Sequence, residues 1–343
     1  MAQDSKCFAP FLLVCDRVSP TPKNSPYHRI VQTKVMRFAR TLLLAALTLS
    51  TLPAFAWDAN GHRIVGIIAY SQLSPEKQSK LNEILKKGDP EFSFNNDHPS
   101  LWLAQATVFP DVIKGNKDTS YEKEINYYND WAYPLDKRDP KNNEGTRMKV
   151  WHYINRPLFT ETHGDHIQDA TFDAVKAINF INEQYPKEST PRMQAFWIAF
   201  SSHIVGDLHQ PLHCAASCAE DGKGDAGGNF FKLSGDPKNL HFLWDSAISD
   251  AVSREGWRGG QVEKAAKIVE MYPPSTFKDQ LNELNPDKWA DEGAELAKNF
   301  VYEGITQNTV ESPAYRERRI NLALKQAALG GYRLAKILDK LIK

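Results

Sequence analysis

His203-Ile204-Val205-Gly206-Asp207-Leu208-His209-Gln210-Pro211-Leu212-His213 places three histidines and a carboxylate within eleven residues of otherwise mostly apolar sequence. The apolar run Ala195-Phe196-Trp197-Ile198-Ala199-Phe200 precedes it, opened by Thr190-Pro191, an N-cap and N1 pair. His203 and Asp207 are therefore expected near the C-terminal end of a buried helix. At i, i+4 they share one face, about one turn apart. Pro211 ends the helix and turns His213 back toward the same region. Ionisable groups buried there are costly unless they pair with one another or hold a metal.

The text around this helix is helical as well. His62 to Tyr70 carries an apolar stripe, Lys77 to Lys86 follows the cap Ser74-Pro75-Glu76, and Ser100 to Val108 runs into Phe109-Pro110-Asp111. Residues 115–147 are polar and turn-rich, and are expected to form a long surface loop with a short strand pair. Further helices are expected over Asp169 to Tyr185, Leu240 to Val252, Asn285 to Phe300, and from Ser312 to the C-terminus. The glycine-rich loop Gly222 to Gly228 leads into a short strand, Asn229 to Leu233. Long β-branched runs are nearly absent, so the fold class is mainly α: a single-domain multi-helix fold packed around the central helix.

The first 56 residues stand outside this fold. Met36-Arg37-Phe38-Ala39-Arg40 is a basic segment, Thr41 to Leu52 a short apolar core, and Ala54-Phe55-Ala56 an A-x-A cleavage site. This is the pattern of a signal peptide over 36–56, with 1–35 a non-native N-terminal extension and 57–343 the working domain. The apolar run is too short to span a membrane. Of 42 Lys+Arg and 42 Asp+Glu, residues 1–56 hold 7 and 2, leaving 35 basic against 40 acidic residues. That balance argues against a broad basic surface for duplex nucleic acid, so an anionic substrate must be held locally, for instance by metal. Cys214 and Cys218 remain after cleavage, and an exported chain favours a disulfide between them, provided that their Cα atoms come within about 7 Å.

Leu240-His241-Phe242-Leu243-Trp244-Asp245 repeats the His-x-x-x-Asp spacing of the central helix. Val150-Trp151-His152-Tyr153 adds a histidine in an aromatic segment, Asp111 a carboxylate at a helix end, and Gly61-His62 a histidine opening the first helix. One such pair is explained by a buried hydrogen bond; two with His213 between them point to metal. His and Asp ligands favour zinc, with manganese or iron as alternatives. The paired Glu-x-x-His of di-iron bundles and the His-Glu-x-x-His of proteases are both absent from the sequence. The chemistry indicated is multi-metal hydrolysis.

Taken with Gly227-Gly228-Asn229 and Gly330-Gly331-Tyr332-Arg333-Leu334-Ala335, these motifs resemble the zinc-dependent single-strand-specific nuclease and 3′-nucleotidase family, which shares its fold with zinc phospholipase C. The resemblance runs from Trp57 to the C-terminus. It implies three Zn2+: one on Asp111, His152, His203 and a bridging Asp207; one on His213, His241 and Asp245; one on His62, Asp207 and the free amine and carbonyl oxygen of Trp57. It implies single-stranded DNA or RNA and 3′-mononucleotides as substrates, 5′-phosphorylated products, and attack by a metal-activated hydroxide. Lys114 matches a position where the family often carries a phosphate-binding Arg; it keeps the charge without the bidentate fork. Tyr153 and Asn155 match a base-stacking aromatic and a base-binding Asp. His209 is expected to face away as a supporting histidine. The implied protein is a periplasmic or secreted monomer without stable membrane association. Two other readings stay open: a zinc phospholipase C, which usually has Glu where Asp245 stands, and a secreted zinc-binding protein without catalysis.

Overall fold

The computed structural model describes residues 57–88, 98–115, 119–132, 148–159, 172–218, 224–254 and 256–343. The extension and signal peptide expected over 1–56 lie outside the described residues, as do His28, His163 and His166. Twelve α-helices are described. They are α1 (Ala59–Gln72), α2 (Pro75–Gly88), α3 (Ser100–Ala106), α4 (Phe109–Gly115), α5 (Glu122–Ala132), α6 (Ala174–Gln184), α7 (Pro191–Asp207), α8 (Leu240–Asp245), α9 (Ala247–Val252), α10 (Gln261–Met271), α11 (Pro286–Leu296) and α12 (Pro313–Leu341). No described helix is long and apolar enough to cross a membrane.

The caps follow the sequence closely. Thr190 accepts from the Met193 amide at the head of α7, Asn239 from the Phe242 amide at α8, and Ser312 from the Tyr315 amide at α12. From Ala195 to Asp207 every residue of α7 is buried, which is why its apolar residues show no stripe. Phe196, Trp197 and Phe200 pack with Trp151, Tyr128 and Phe109 in an aromatic core beneath the helix end. On the other side α12 lies along α1. A Cβ on Gly331 would stand 2.7 Å from Ile68 Cβ and 3.2 Å from the Val65 carbonyl, so only glycine admits that approach.

Three expectations are corrected. The segment 115–147 is not all loop: α5 spans Glu122–Ala132, where Tyr121 and Ile125 reach the core, although Asn, Asp and Glu mask that face in the text. The expected strand Asn229 to Leu233 is absent, leaving a lone antiparallel bridge, Lys232 with Asn239. The described sheet is instead a parallel pair, β1 (Arg156–Leu158) with β2 (Ala215–Ser217), in register Arg156 to Ala215. That β2 also separates Cys214 from Cys218. The extended backbone carries the chain away from Cys214, and no bond joins the two sulfurs. Both are buried free thiols; Cys214 Sγ donates to the Leu208 carbonyl at 3.4 Å.

Candidate metal centre

The i, i+4 logic of α7 holds: His203 Nε2 lies 3.3 Å from Asp207 Oδ2, both fully buried. His152 arrives on the 3₁₀ turn Lys149–His152, its Nδ1 3.1 Å from the same oxygen and 2.8 Å from His203 Nε2. Asp111, in the first turn of α4, brings Oδ1 to 3.5 Å from His203 Nε2. From α1, His62 Nε2 reaches Asp207 Oδ1 at 3.3 Å and Asp111 Oδ2 at 3.9 Å, and its ring stacks on His203 with centroids 3.8 Å apart. Asp207 therefore turns one oxygen to His152 and His203 and the other to His62.

A second cluster adjoins the first. Pro211 starts the 3₁₀ turn Pro211–His213, and α8 presents His241 and Asp245 one turn apart. His213 Nε2 and His241 Nε2 are 3.1 Å apart, at 3.8 and 3.5 Å from Asp245. The groupings able to hold an ion are His62, Asp111 and His203; His152, His203 and Asp207; and His213, His241 and Asp245, all buried.

The tautomers show that the residues suit a cation. His203 Nδ1 donates to the Thr107 carbonyl at 2.6 Å, His213 Nδ1 to the His152 carbonyl at 2.7 Å, and His241 Nδ1 to the Gly227 carbonyl at 2.6 Å. In each neutral ring the other nitrogen, Nε2, then carries a lone pair aimed inward. Two lone pairs meet across 3.1 Å at His213 and His241, beside a carboxylate. Such an arrangement repels itself unless a cation lies among the donors. Buried Nε2 and Nδ1 of His62, Nε2 of His152, Oδ1 of Asp207 and Oδ2 of Asp245 have no hydrogen-bond partner, a debt that would cost several kcal/mol in an empty core (~1–3 per group). Nitrogen and carboxylate donors in threes and fours are a zinc set, and the backbone carbonyls that fix the imidazoles are the usual outer support of such ligands.

Burial, with no cation counted, disfavours every charged form. It lowers His203 and His241 to about 4, and pushes His152 and His213 well below the ordinary histidine value. It raises Asp207 to about 7 and Asp245 well above the carboxylate range. Burial opposes ionisation at Asp111 too, but Lys114, His203 and His62 outweigh it and its value falls. The imidazoles are thus neutral and ready to ligate, while the carboxylates await a positive charge.

Lys114 is buried and ion-paired, its Nζ 2.7 Å from Asp111 Oδ1. An ordinary surface lysine is ruled out. Tyr153 is half-buried against the core where the His152 turn ends, and Asn155 follows, half-buried, just before β1. The Trp57 side chain is fully buried, and the next amide, Asp58 N, donates to the Asp245 carbonyl at 3.0 Å. The start of the domain is therefore pinned to the cluster that carries Asp245.

Three supporting residues have no role in the sequence reading. Thr107 and Gly227 act through carbonyls, which no side-chain pattern announces. Gln210 Nε2 donates to Asp245 Oδ1 at 2.6 Å while its Oε1 accepts from the Leu212 amide; an amide between His209 and Pro211 is the one signal it gave. Gly227 sits at φ +64°, and a Cβ added there would stand 2.4 Å from the Leu212 carbonyl oxygen, so the loop can carry its carbonyl to His241 only as glycine. His209 does face away: Nδ1 bonds the Val205 carbonyl at 2.7 Å and Nε2 accepts from Arg333 at 3.1 Å. Arg333, fully buried, also grips Glu292 at 2.7 and 2.9 Å and the Gln280 carbonyl.

A fold built of helices around clustered His/Asp triads defines a polynuclear metal-dependent hydrolase of phosphate esters. The family model described as S1/P1 Nuclease matches residues 57–343, and the chain belongs to that family of zinc-dependent single-strand nucleases. It is similar to Endonuclease 2 of Arabidopsis thaliana, 24% identical over 309 residues, covering 83% of this chain and 90% of the relative. Endonuclease 4 of the same plant is 24% identical over 326 residues, with 89% and 94% covered. Nuclease S1 of Aspergillus oryzae is 25% identical over 257 residues, with 74% and 71% covered.

Proposed function

We propose that the chain is exported to the periplasm or beyond and loses its signal peptide by cleavage before Trp57. There it hydrolyses single-stranded DNA and RNA to 5′-phosphorylated products and 3′-mononucleotides to nucleosides. The observation that carries the reading is the inward convergence of the His62, His152 and His203 nitrogens on both oxygens of Asp207. Asp111, His152, His203 and Asp207 would hold one zinc, His213, His241 and Asp245 a second, and His62, Asp207 and the Trp57 amine and carbonyl a third. Zinc bound there supplies water of near-neutral pKa and positive charge for phosphoryl oxygens.

The chain's own residues then have distinct tasks. Asp207, turned to two sides, keeps two ligand groups in fixed relation. The Lys114 ammonium, buried beside Asp111, meets a non-bridging phosphate oxygen without having to be drawn in from solvent. Tyr153 offers its face to a base, and Asn155 an amide that can donate as well as accept. A stacking face accepts any base but requires it unpaired, which selects single strands. Burial of the ligands keeps bulk water from the phosphate.

The test is made on the purified chain beginning at Trp57. Metal is counted by elemental analysis, and single-stranded nucleic acid, a 3′-mononucleotide and phosphatidylcholine are assayed with and without chelator. About three zincs with chelator-sensitive cleavage of strands and mononucleotides is the expected result. Lipid cleavage alone would move the chain to phospholipase chemistry, and a protein without stoichiometric metal would remove the site.

A further inference from the structure

The helix α11 does not end as an α-helix. It opens into a π turn, Ala297–Val301, where the Tyr302 amide reaches five residues back to the Ala297 carbonyl at 3.2 Å. Such turns are rare and occur frequently at functional sites. The letters Ala297-Lys298-Asn299-Phe300-Val301 hold neither glycine nor proline, so no backbone exception calls for one. Ala297 and Val301 are fully buried, in the small apolar cluster that also holds Leu212, Leu240 and Trp244. Each of those three is the chain neighbour of a ligand: His213, His241 and Asp245.

Two phenols connect the π turn to these ligands. Tyr302 Oη, directly after it, donates to Asp225 Oδ2 at 2.7 Å. Asp225 Oδ1 accepts from Ser217 N at 3.0 Å, at the end of β2, and the Asp225 carbonyl accepts from Phe230 N at 3.0 Å. Asp225 thus ties down the turn that runs through Gly227, whose carbonyl holds His241 Nδ1. The second phenol comes from α12. Tyr315 Oη donates to the Val301 carbonyl at 2.6 Å and accepts from Trp244 Nε1 at 2.9 Å. Trp244 stands in the six-residue α8 between His241 and Asp245. A helix that short has no stability of its own and takes its position from such contacts. One relay fixes the ring of His241 from outside; the other anchors the helix that carries both His241 and Asp245.

We propose that the π turn is the buttress of the His213, His241 and Asp245 site, with Tyr302 and Tyr315 as positioning residues. They act on its zinc through Asp225 and Gly227 on one side and through Trp244 on the other. This inference rests on the assignment of a zinc to that site, made above. Outer partners that fix the orientation of a ligand commonly change metal affinity 10- to 100-fold when removed. The other ligand groups have their own supports, such as the Thr107 carbonyl on His203, so the effect is confined to one zinc.

The experiment titrates the zinc-loaded protein with a competing chelator and follows each zinc as it leaves, with the thermal midpoint measured alongside. It uses the wild type, Tyr302→Phe, Tyr315→Phe and Leu322→Ala; the last trims the same apolar cluster without removing a hydroxyl. His213→Ala, which lacks a ligand, marks the zinc that belongs to this site. The expected result is that each phenol variant binds that zinc about tenfold more weakly and the others as the wild type does. Leu322→Ala lowers the thermal midpoint and keeps every zinc at wild-type affinity. Asp225→Asn leaves one oxygen to serve two donors; it tests the Tyr302 arm again and weakens the same zinc. Wild-type affinity in either phenol variant overturns the proposal. So does an equal weakening of every zinc, or the same loss in Leu322→Ala, since either would reduce the turn to general packing. A wild type without stoichiometric zinc overturns the metal-site assignment itself.

Discussion

Two buried polar regions lie back to back at the end of α7, and they are built on opposite terms. On one side Arg333 places its guanidinium on Glu292, the Gln280 carbonyl and His209, so that donors meet acceptors and the cation faces an anion. On the other side His62, His152, His203, Asp111 and Asp207 crowd imidazole nitrogens and carboxylate oxygens within 4 Å, and several of those atoms have no hydrogen-bond partner. The first region is complete as folded protein. The second is complete only with something positive in it. The contrast teaches that burial and charge alone do not mark a functional centre; the marker is burial with donors that the chain does not satisfy.

The comparison breaks most completely at Asp207. Asp207→Ala removes the carboxylate that both ligand groups share, and activity on single strands should fall on the order of 10³-fold or more, together with loss of zinc in elemental analysis. Retention of full metal content would show that the two groups are independent. Breaking the satisfied region should instead cost stability. Arg333→Met leaves Glu292 and His209 without their cation, for about 3 kcal/mol in denaturant unfolding of the zinc-loaded protein; a loss under ~1 kcal/mol would reduce the contact to an ordinary surface pair.

A smaller effect is expected where the regions are linked by a neutral group. Gln210→Leu frees one Asp245 oxygen, and zinc affinity in a competitive chelator titration should weaken about 10- to 100-fold with the fold retained. The smallest separates the regions by pH. Burial first, and Arg333 second, lower His209 from 6.5 to about 3. The folded state therefore refuses a proton that the unfolded chain accepts, so the stability held by neutral His209 is full above about 6.5 and is lost as pH falls toward about 3. His209→Gln should flatten that acid limb of the stability profile relative to wild type; an identical limb would assign it to the metal-site histidines alone.

The helix that carries the centre was legible because its signals are local: Thr190-Pro191 caps it, Pro211 ends it, and i, i+4 spacing puts His203 and Asp207 on one face. The ligand residues were legible through the repeated His-x-x-x-Asp and the family resemblance, and the triads of the structure are drawn from those residues. What escaped was non-local or backbone-borne. The α5 helix hides its apolar positions among polar neighbours, and β1–β2 pairs segments some sixty residues apart with only three residues each. The three residues between Cys214 and Cys218 are held extended as β2 by that pairing, which their own letters do not announce.

Residue types and the helix face each occupies follow from the local chain, since periodicity and capping act within a few residues. Which ring nitrogen points inward follows from packing alone. That choice depends on the Thr107, His152 and Gly227 carbonyls, delivered from distant parts of the chain. A carbonyl has no letter of its own in the sequence, yet by holding Nδ1–H it commits Nε2 to the metal.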